Sequence, residues 1–435
     1  MDTKSDILNR AQDILNHPTA VLDRDQVAGF IRPYLEKAHS FISLCQQHGS
    51  PLYVFDETAL LQRAREFKAV FAGALGDIRI YFAMKSNNHP LVAKSLITFG
   101  TGLDVSSGLE LTAALDLGCR DIVFSGPGKT QPELDLAVEH YDRVTILIDS
   151  FSELEQLSIT AARSNTTVRA GVRLTTQENG IWRKFGIPLS TLRDFFDAAL
   201  RCTHVNLCGL QFHTSWNLDP SAQTGFMARL GLCLASLDKK HLDAIEFIDI
   251  GGGYWPEHGE WLQWAGTPEG KLHSAAGSPP GSNLSHYICP SVPVQHFADQ
   301  LSSAIKTHIK PYVDCRIYME PGRWICNDAM HVLLNVVDKK ADDLVITDAG
   351  TNMIGWERFE TDYFPVINLS RPGLIERECT VFGSLCTPHD IWGYTYFGET
   401  IEKGDILMIP CQGAYTYSLR QNFIKPLPTV VPLKA

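Results

Sequence analysis

Short apolar stretches with the character of buried β-strands alternate with helical patterns along most of this 435-residue chain. Eight of them form the series YFAM (81–84), LDV (103–105), DIVF (121–124), VTILI (144–148), VRAGVR (168–173), CGLQF (208–212), EFIDI (246–250) and RIYM (316–319). Parallel strands need a long crossover, usually a helix, so this eightfold alternation predicts a closed (β/α)8 barrel. We therefore expect an α/β fold centred on such a barrel.

Reactive or ligand-binding residues stand at or just after the C-terminal ends of nearly all these stretches. They are Lys85, Asp104, Ser125 to Gly128, Asp149, Arg173, His213, Gly251 to Gly253 and Glu320. Barrel enzymes place their chemistry at this end of the strands. The pattern therefore predicts an enzyme with a small-molecule site at the rim.

The chain is too long for a barrel alone, which takes roughly 250 residues. After Glu320 the helical patterns fade and short β-like runs follow, namely HVLLNVV, DLVITD, TVFGS, DILMIP and PTVVPL. We predict a helical N-terminal segment (1–50) that joins a mostly antiparallel β domain (326–435), with the barrel over 51–325. PLYVF (51–55) opens the barrel region, and the turn-rich stretch from 254 to 290 is read as a surface excursion at its rim.

Composition excludes several classes of protein. The net charge of −11 argues against nucleic acid or an anionic membrane as partner, and no apolar run approaches the ~20 residues of a membrane span. The eleven cysteines include no CxxC pair and no zinc-site spacing, so no metal site is expected. Together with the charged start MDTKSD, this predicts a reduced, cytoplasmic protein.

Lys85 and the glycine-containing strand ends suggest one particular cofactor. A lysine at the barrel mouth can form a Schiff base with an aldehyde, although a surface lysine is the commoner outcome. Gly251 to Gly253 let backbone N–H groups approach an anion, and Arg323 in EPGR (320–323) suits a phosphate. A phosphate site, an aldehyde-binding lysine and the carboxylate of Glu320 together indicate pyridoxal 5′-phosphate.

Glu320 distinguishes between reactions of that cofactor. A carboxylate against the pyridine nitrogen keeps that nitrogen protonated and makes the ring a strong electron acceptor. His213 could stack on the ring face, or it could be a core histidine, and Arg173 could reach the phenolic oxygen.

Many motifs of the chain, in order, resemble one known family, the pyridoxal-phosphate-dependent decarboxylases of the alanine-racemase-like fold (fold type III), which include diaminopimelate, ornithine and arginine decarboxylases. The resemblance covers roughly residues 50–425. It rests on YFAMKSN, GLDVSSGLEL, SGPGKT, IDSFSEL, RKFGI, GLQFH, DIGGG, EPGR, TDAG, LCTPHD and GAYTYSL.

The resemblance implies roles for individual residues. Lys85 binds the cofactor covalently, Glu320 contacts the pyridine nitrogen, and His213 also takes part in catalysis. The other implied cofactor-binding residues are Asp104, Glu110, Arg173, Gly251, Gly252, Gly253, Gly322, Arg323 and Tyr415.

The resemblance also implies a homodimer with shared active sites. In the family, a cysteine in the position of Cys386 reaches the partner subunit's site and helps protonate the product. A buried small hydrophobic residue is the alternative for a free cysteine.

The sequence departs from the family at places that bear on substrate. Ser215 and Trp216 follow His213 where a glycine-serine pair is usual. The Arg-Pro…Tyr element with which diaminopimelate decarboxylases grip the distal part of their substrate is replaced near Trp356 and Glu360, and Thr387 follows Cys386 in place of an acid. Trp356, Glu360, Thr387 and Asp390 are the candidate substrate-binding residues.

We therefore predict a decarboxylase that acts on an α-amino acid or on a larger intermediate containing one, of the kind used in siderophore and other specialised-metabolite assembly. Decarboxylation of meso-diaminopimelate in lysine biosynthesis is the alternative substrate hypothesis. An amino-acid racemase and a non-catalytic pyridoxal-phosphate-binding homologue are the alternatives of other classes.

Overall fold

A computed structural model describes residues 3–278, 281–355 and 360–433 of the chain. These residues divide into two compact units. The barrel unit comprises Ala59–Glu257 and Val292–Cys326. The β unit comprises the residues up to Thr58, the segment His258–Ser291 and the residues from Asn327 onward.

In chain order, the strands are β1 (Ala20–Val21), β2 (Leu52–Phe55), β3 (Ile78–Ala83), β4 (Gly102–Val105), β5 (Ile122–Phe124), β6 (Val144–Ile148), β7 (Val168–Leu174), β8 (Val205–Phe212), β9 (Phe247–Asp249), β10 (Glu260–Leu262), β11 (Tyr287–Cys289), β12 (Arg316–Met319), β13 (Met330–Ala341), β14 (Leu344–Thr347), β15 (Ile367–Asn368), β16 (Glu376–Phe382), β17 (Ile391–Phe397), β18 (Ile406–Ile409) and β19 (Thr429–Pro432). The helices are α1 (Lys4–Asn16), α2 (Arg24–Glu36), α3 (Ala38–His48), α4 (Glu57–Leu75), α5 (Pro90–Phe99), α6 (Gly108–Asp116), α7 (Gln131–Glu139), α8 (Phe151–Arg163), α9 (Leu192–Ala199), α10 (Ser221–Leu234), α11 (Lys239–Leu242), α12 (Pro268–Ala275), α13 (Val294–His308) and α14 (Arg323–Cys326).

The barrel unit confirms the predicted (β/α)8 architecture. Its parallel strands pair in the order β3-β4-β5-β6-β7-β8-β9-β12, and β12 closes the circle by pairing with both β9 and β3. All eight stretches singled out in the sequence are barrel strands. Each ends at the same rim, which brings the polar residues that follow them to one end of the barrel.

Large rings fill part of the barrel interior. Phe247 stacks on Tyr318 with ring centroids 4.3 Å apart, and both belong to a buried cluster with Tyr81, Val123, Leu147 and Cys208. Gly209 on β8 leaves the space that the Phe247 ring occupies, because a Cβ at this position would overlap that ring. The barrel core therefore depends on a small residue facing a large one.

The β unit is built around an eight-stranded sheet in the order β14-β16-β17-β15-β18-β13-β2-β19, in which β14 also pairs with β13. Most neighbours are antiparallel, as predicted, but β14–β16, β15–β17 and β2–β19 are parallel pairs. The position of β2 corrects the expectation for PLYVF. It pairs with β13 and β19 and lies outside the barrel, because a strand of four buried residues suits the middle of either kind of sheet.

The predicted domain boundaries also differ from the structure at the 254–290 excursion. Its strands β10 and β11 pair with each other, and β11 pairs with β1 near the N-terminus. Residues 258–291 therefore belong to the β unit, because their hydrogen bonds join them to β1. Pairing between segments so distant in sequence leaves no local signal in the residues between them.

We expect Gly209→Ala to lower the free energy of unfolding by about 1–3 kcal/mol, since the added methyl must displace the Phe247 ring from its stack on Tyr318. Denaturant unfolding would measure the change. Gly225→Ala in α10 is the matched control, because its new methyl meets no atom within 4 Å and a helical alanine is favoured over glycine by up to about 1 kcal/mol. A Gly209→Ala protein as stable as the wild type would contradict this packing.

Candidate active site

Lys85 follows β3 at the barrel rim and forms an ion pair with Asp104 at the end of β4. Lys85 Nζ lies 2.8 Å from Asp104 Oδ2, and the second oxygen of Asp104 accepts a hydrogen bond of 2.5 Å from the Ser125 hydroxyl. The Asp104 side chain is fully buried, whereas the lysine side chain keeps 36% of its exposure. Burial raises the pKa of Asp104, and the Lys85 ammonium partly offsets that effect. The pair holds the amine at the mouth of the barrel.

Two further predicted residues lie around this pair. Glu110, in the first turn of α6, accepts a hydrogen bond of 2.7 Å from the Ser106 backbone N–H. Burial raises the pKa of Glu110. Arg173 is buried at the end of β7, and its guanidinium lies 4.4 Å from the centroid of the Phe185 ring. Both side chains are therefore held in place by neighbours from adjacent loops.

Gly251 to Gly253 form a tight turn after β9 that no larger residue could make. Gly251 and Gly253 have φ of +70° and +84°, and a Cβ on Gly252 would collide with the Glu320 carbonyl oxygen. The N–H of Gly252 donates to His213 Nδ1 at 3.2 Å. Burial lowers the pKa of His213, so the ring is neutral and Nδ1 is the acceptor.

Glu320 is buried at the end of β12. Its oxygens accept hydrogen bonds of 3.3 and 3.4 Å from Gln211 Nε2, and His213 Nδ1 lies 3.7 Å from Oε2. Burial alone would raise the pKa of Glu320, but the nearby cations Lys85 and Arg173 lower it below its ordinary value. Glu320 is therefore an anion at neutral pH.

Gly322 and Arg323 follow directly. A Cβ on Gly322 would meet the Ser86 hydroxyl, so this turn packs closely against the loop that carries Lys85. The Arg323 guanidinium lies 4.3 Å from the centroid of Trp255 and 6.0 Å from that of Trp216, in an aromatic pocket that limits its orientation. Trp216 has a left-handed φ of +54° and is exposed, which places an indole at the loop where the family usually has glycine and serine.

The remaining predicted residues belong to the β unit. Tyr415 is half-buried with a left-handed φ of +60°, and Cys386 is exposed. Glu360 Oε1 lies 2.7 Å from His389 Nδ1, and the Thr387 hydroxyl is the acceptor for the His389 backbone N–H at 3.5 Å. Trp356 lies outside the described residues.

Asp390, a candidate substrate-binding residue, has both carboxylate oxygens in contact with the backbone. One of its oxygens accepts the Thr351 N–H at 2.7 Å, and the other accepts the Leu385 N–H at 2.7 Å. The side chain is buried, and burial raises its pKa. The structure thus uses Asp390 to tie the Cys386 loop to the turn after TDAG, because its oxygens are taken up by backbone N–H groups.

A parallel barrel with a lysine at its mouth, a glycine turn and a buried anionic carboxylate defines a pyridoxal-phosphate enzyme of fold type III. The chain matches the family model described as "Pyridoxal-dependent decarboxylase, pyridoxal binding domain" over residues 58–327. It belongs to this family. The assignment makes the protein a pyridoxal-phosphate-dependent carboxy-lyase, and it favours this class over the racemase and the non-catalytic homologue.

Curated relatives match the chain over most of its length. Diaminopimelate decarboxylase of Aquifex aeolicus is 25% identical over 90% of both chains. L-glutamyl-[BtrI acyl-carrier protein] decarboxylase of Niallia circulans is 23% identical, again over 90% of both. Among solved structures, diaminopimelate decarboxylase of Helicobacter pylori in complex with L-lysine aligns with a TM-score of 0.73 and 22% identity, covering 91% of this chain and 94% of that one.

The residues present fit pyridoxal phosphate. The amine of Lys85 is partly exposed at the barrel mouth, the glycine turn carries no side chains that would keep a phosphate from the backbone, and the ionised Glu320 suits a protonated pyridine nitrogen. We propose that Lys85 binds the cofactor covalently, that Glu320 contacts its ring nitrogen, and that Gly251 to Gly253 hold its phosphate. When bound, the cofactor supplies an electron acceptor for the carbon that loses its carboxylate.

Metal clusters and membrane-crossing helices are both missing from the described part of the chain. In the ranges 3–278, 281–355 and 360–433, no group of three or more metal-ligating side chains occurs. No helix in those same ranges has the length and apolar character that a membrane crossing requires.

Sequence reasoning missed two buried polar residues of this site. Gln211 contacts Glu320 directly, and Asp249 stands one strand away at the end of β9. Both lie within otherwise apolar strands, and a polar side chain in such a strand was the available signal.

We expect Lys85→Ala to abolish covalent attachment of the cofactor. The protein would be loaded with pyridoxal phosphate, reduced with borohydride and weighed by intact mass spectrometry. One added cofactor should appear on the wild type and on the control Lys94→Ala, whose lysine is exposed on α5. An adduct that persists on Lys85→Ala would assign the attachment to another lysine.

Proposed function

We propose that this decarboxylase acts on an α-amino acid carried within a larger conjugate. The proposal rests on the position of Glu360. This residue stands near the place where diaminopimelate decarboxylases carry the arginine of their Arg-Pro…Tyr element. A guanidinium grips a carboxylate through paired hydrogen bonds, whereas an ionised glutamate repels one. A substrate with a free distal carboxylate is therefore disfavoured.

The surroundings of Glu360 support this reading. Its carboxylate lies 2.7 Å from His389 Nδ1. Glu360 belongs to the segment after TDAG and His389 to the loop that contains Cys386, so the contact joins these two segments. Both are exposed, at 42% and 74% of their side-chain area. The contact with His389 holds the Glu360 carboxylate at this position, where a second substrate carboxylate would meet a group of its own charge.

One of the curated relatives acts on a substrate of this kind. The Niallia circulans protein is a decarboxylase of an L-glutamyl group carried on an acyl-carrier protein. Several other relatives are diaminopimelate decarboxylases, at 25–26% identity, so meso-diaminopimelate is the second candidate substrate.

We also propose that the enzyme is a homodimer in which Cys386 serves the partner subunit's site. Cys386 is exposed, on a loop ordered by the hydrogen bonds of Asp390. In the barrel, Lys85 binds and orients the cofactor. The neutral His213 ring excludes water beside Glu320. After CO2 leaves, Cys386 Sγ donates a proton to the substrate's α-carbon.

The substrate is identified by mass spectrometry of reactions with diaminopimelate, lysine, ornithine, arginine and amino-acid conjugates, including an aminoacyl-carrier protein. We expect a loss of about 44 Da, the mass of CO2, from a conjugate and little or none from diaminopimelate. Lys85→Ala is the inactive control for each compound. Faster turnover of diaminopimelate than of any conjugate would overturn the substrate proposal and leave the decarboxylase assignment intact.

We expect Cys386→Ala to lower kcat by about 10²–10⁴-fold, the usual contribution of a general acid, while the bound cofactor is retained. Cys289→Ala, a half-buried thiol on β11, is the control for loss of a cysteine. Mixing inactive Lys85→Ala with Cys386→Ala subunits should restore part of the activity if sites are shared. Wild-type turnover in Cys386→Ala would refute the proton-donor role.

A further inference from the structure

Asp249 is a buried acid at the cofactor site to which the reaction assigns no task. It ends β9 with no exposed area. Its Oδ1 accepts the Gly251 N–H at 2.8 Å. Its Oδ2 is buried and has no hydrogen-bond partner within the described part of the chain. A carboxylate oxygen left unpaired in the interior is costly, so it calls for an explanation.

A second unpaired oxygen lies on the neighbouring strand. Gln211 is directly opposite Asp249 in the pairing of β8 with β9. Gln211 Nε2 donates to both oxygens of Glu320, but Gln211 Oε1 is buried without a partner in the described residues. Asp249 is in turn opposite Tyr318, two residues before Glu320. The three polar side chains thus project from adjacent strands to the same face.

The hydrogen-bonding groups of this cluster are out of balance. Gln211 Oε1, both oxygens of Asp249 and both of Glu320 are acceptors, whereas the hydrogen bonds seen to them from the described residues come from two donors, Gln211 Nε2 and the Gly251 N–H. A proton on Asp249 Oδ2 would turn an unpaired acceptor into a donor. The protonated Oδ2 would then donate a hydrogen bond to one of the cluster's oxygens that has no donor.

The charges around Asp249 favour the same state. The anionic groups nearby are Glu320 and Asp104, and the cations are Lys85 and Arg173, with His213 neutral. Asp104 already forms an ion pair with Lys85. Burial, followed by the charge of Glu320, raises the pKa of Asp249 well above its ordinary value, and the Gly251 N–H only partly offsets this. A third buried anion would lack a cation of its own.

We propose that Asp249 is a neutral carboxylic acid in the folded protein, and that it acts as a positioning residue for Glu320. Its Oδ2 proton supplies the missing donor of the Gln211–Asp249–Glu320 cluster. Glu320 then remains the single anion of the cluster and is held toward the pyridine nitrogen. The proposal rests on the assignment of Glu320 to that nitrogen, and it is independent of which amino acid is decarboxylated.

Infrared spectroscopy of the cofactor-free protein tests the protonation directly, since a protonated carboxyl and a carboxylate absorb at different frequencies. At neutral pH the wild type should show a protonated-carboxyl band that Asp249→Asn removes. Asp314→Asn, which changes an exposed acid, should leave the band in place. If no such band exists, or if Asp249→Asn does not remove it, the proposal is overturned.

The pH dependence of stability gives a second readout. Because Asp249 is protonated when folded and ionised when unfolded at pH 7, folding takes up a proton. The contribution of Asp249 to the free energy of unfolding is fully present below about pH 4, and it declines as pH rises toward the folded-state pKa of this carboxyl. Asparagine lacks this dependence, so the unfolding midpoint of Asp249→Asn relative to wild type should increase between about pH 5 and pH 8. A pH-independent difference would overturn the proposal.

The affinity for pyridoxal phosphate tests whether Asp249 acts as a hydrogen-bond donor or only fills space. Asparagine can still donate from Nδ2, whereas leucine has a similar shape and no donor. We expect Asp249→Asn to bind pyridoxal phosphate within about twofold of wild type, and Asp249→Leu to bind at least about tenfold more weakly, the effect of one hydrogen bond to a charged group. Equal losses in both variants would contradict the proposal. If the leucine variant does not fold, the infrared and pH measurements on Asp249→Asn still decide it.

Discussion

Closure of the barrel by β12 is the constraint on which the site depends. This strand pairs with β3 on one side and β9 on the other, so that the first and last barrel strands become neighbours. Lys85 follows β3, Asp249 ends β9 and Glu320 follows β12, although they are far apart in sequence. An open sheet would separate the lysine from the carboxylate, and neither residue alone would define a cofactor site.

That closure concentrates charge in a small buried volume. The effective cost of transferring an ion from water to a protein interior is several kcal/mol, which only good partners can offset. Asp104 meets this cost with Lys85 and Ser125, and Glu320 does so with Gln211 and the nearby cations. The glycine turn beside them exposes backbone without side chains, which suits the approach of a phosphate. The site is thus one electrostatic unit, in which the state of each acid depends on the others.

The sequence alone predicted those parts of the structure that repeat along the chain or that end in a reactive side chain. All eight barrel strands could be predicted, because apolar runs alternate with helical patterns and the rim residues follow them. The placement of β2 could not, since LYVF carries no sign of which sheet receives it. The contribution of Gln211 and Asp249 to the site could not be predicted either. They face each other across β8 and β9, and a single sequence does not show which residues of two strands pair. The hydrogen bonds of Asp390 to the backbone of Thr351 and Leu385 were likewise not predictable, because they depend on the conformation of two loops.

The β unit is assembled from three separate segments of the chain, and this has a consequence for synthesis. β1 pairs with β11 (287–289) and β2 pairs with β13 (330–341) and β19 (429–432), so each N-terminal strand has no partner until more than 250 further residues have been made. Barrel strands pair mostly with their immediate successors and can associate as they emerge from the ribosome. The N-terminal strands are therefore translated before the barrel but complete their pairing after the barrel strands have been made. During that interval the apolar strand LYVF is an exposed edge, open to pairing with other chains.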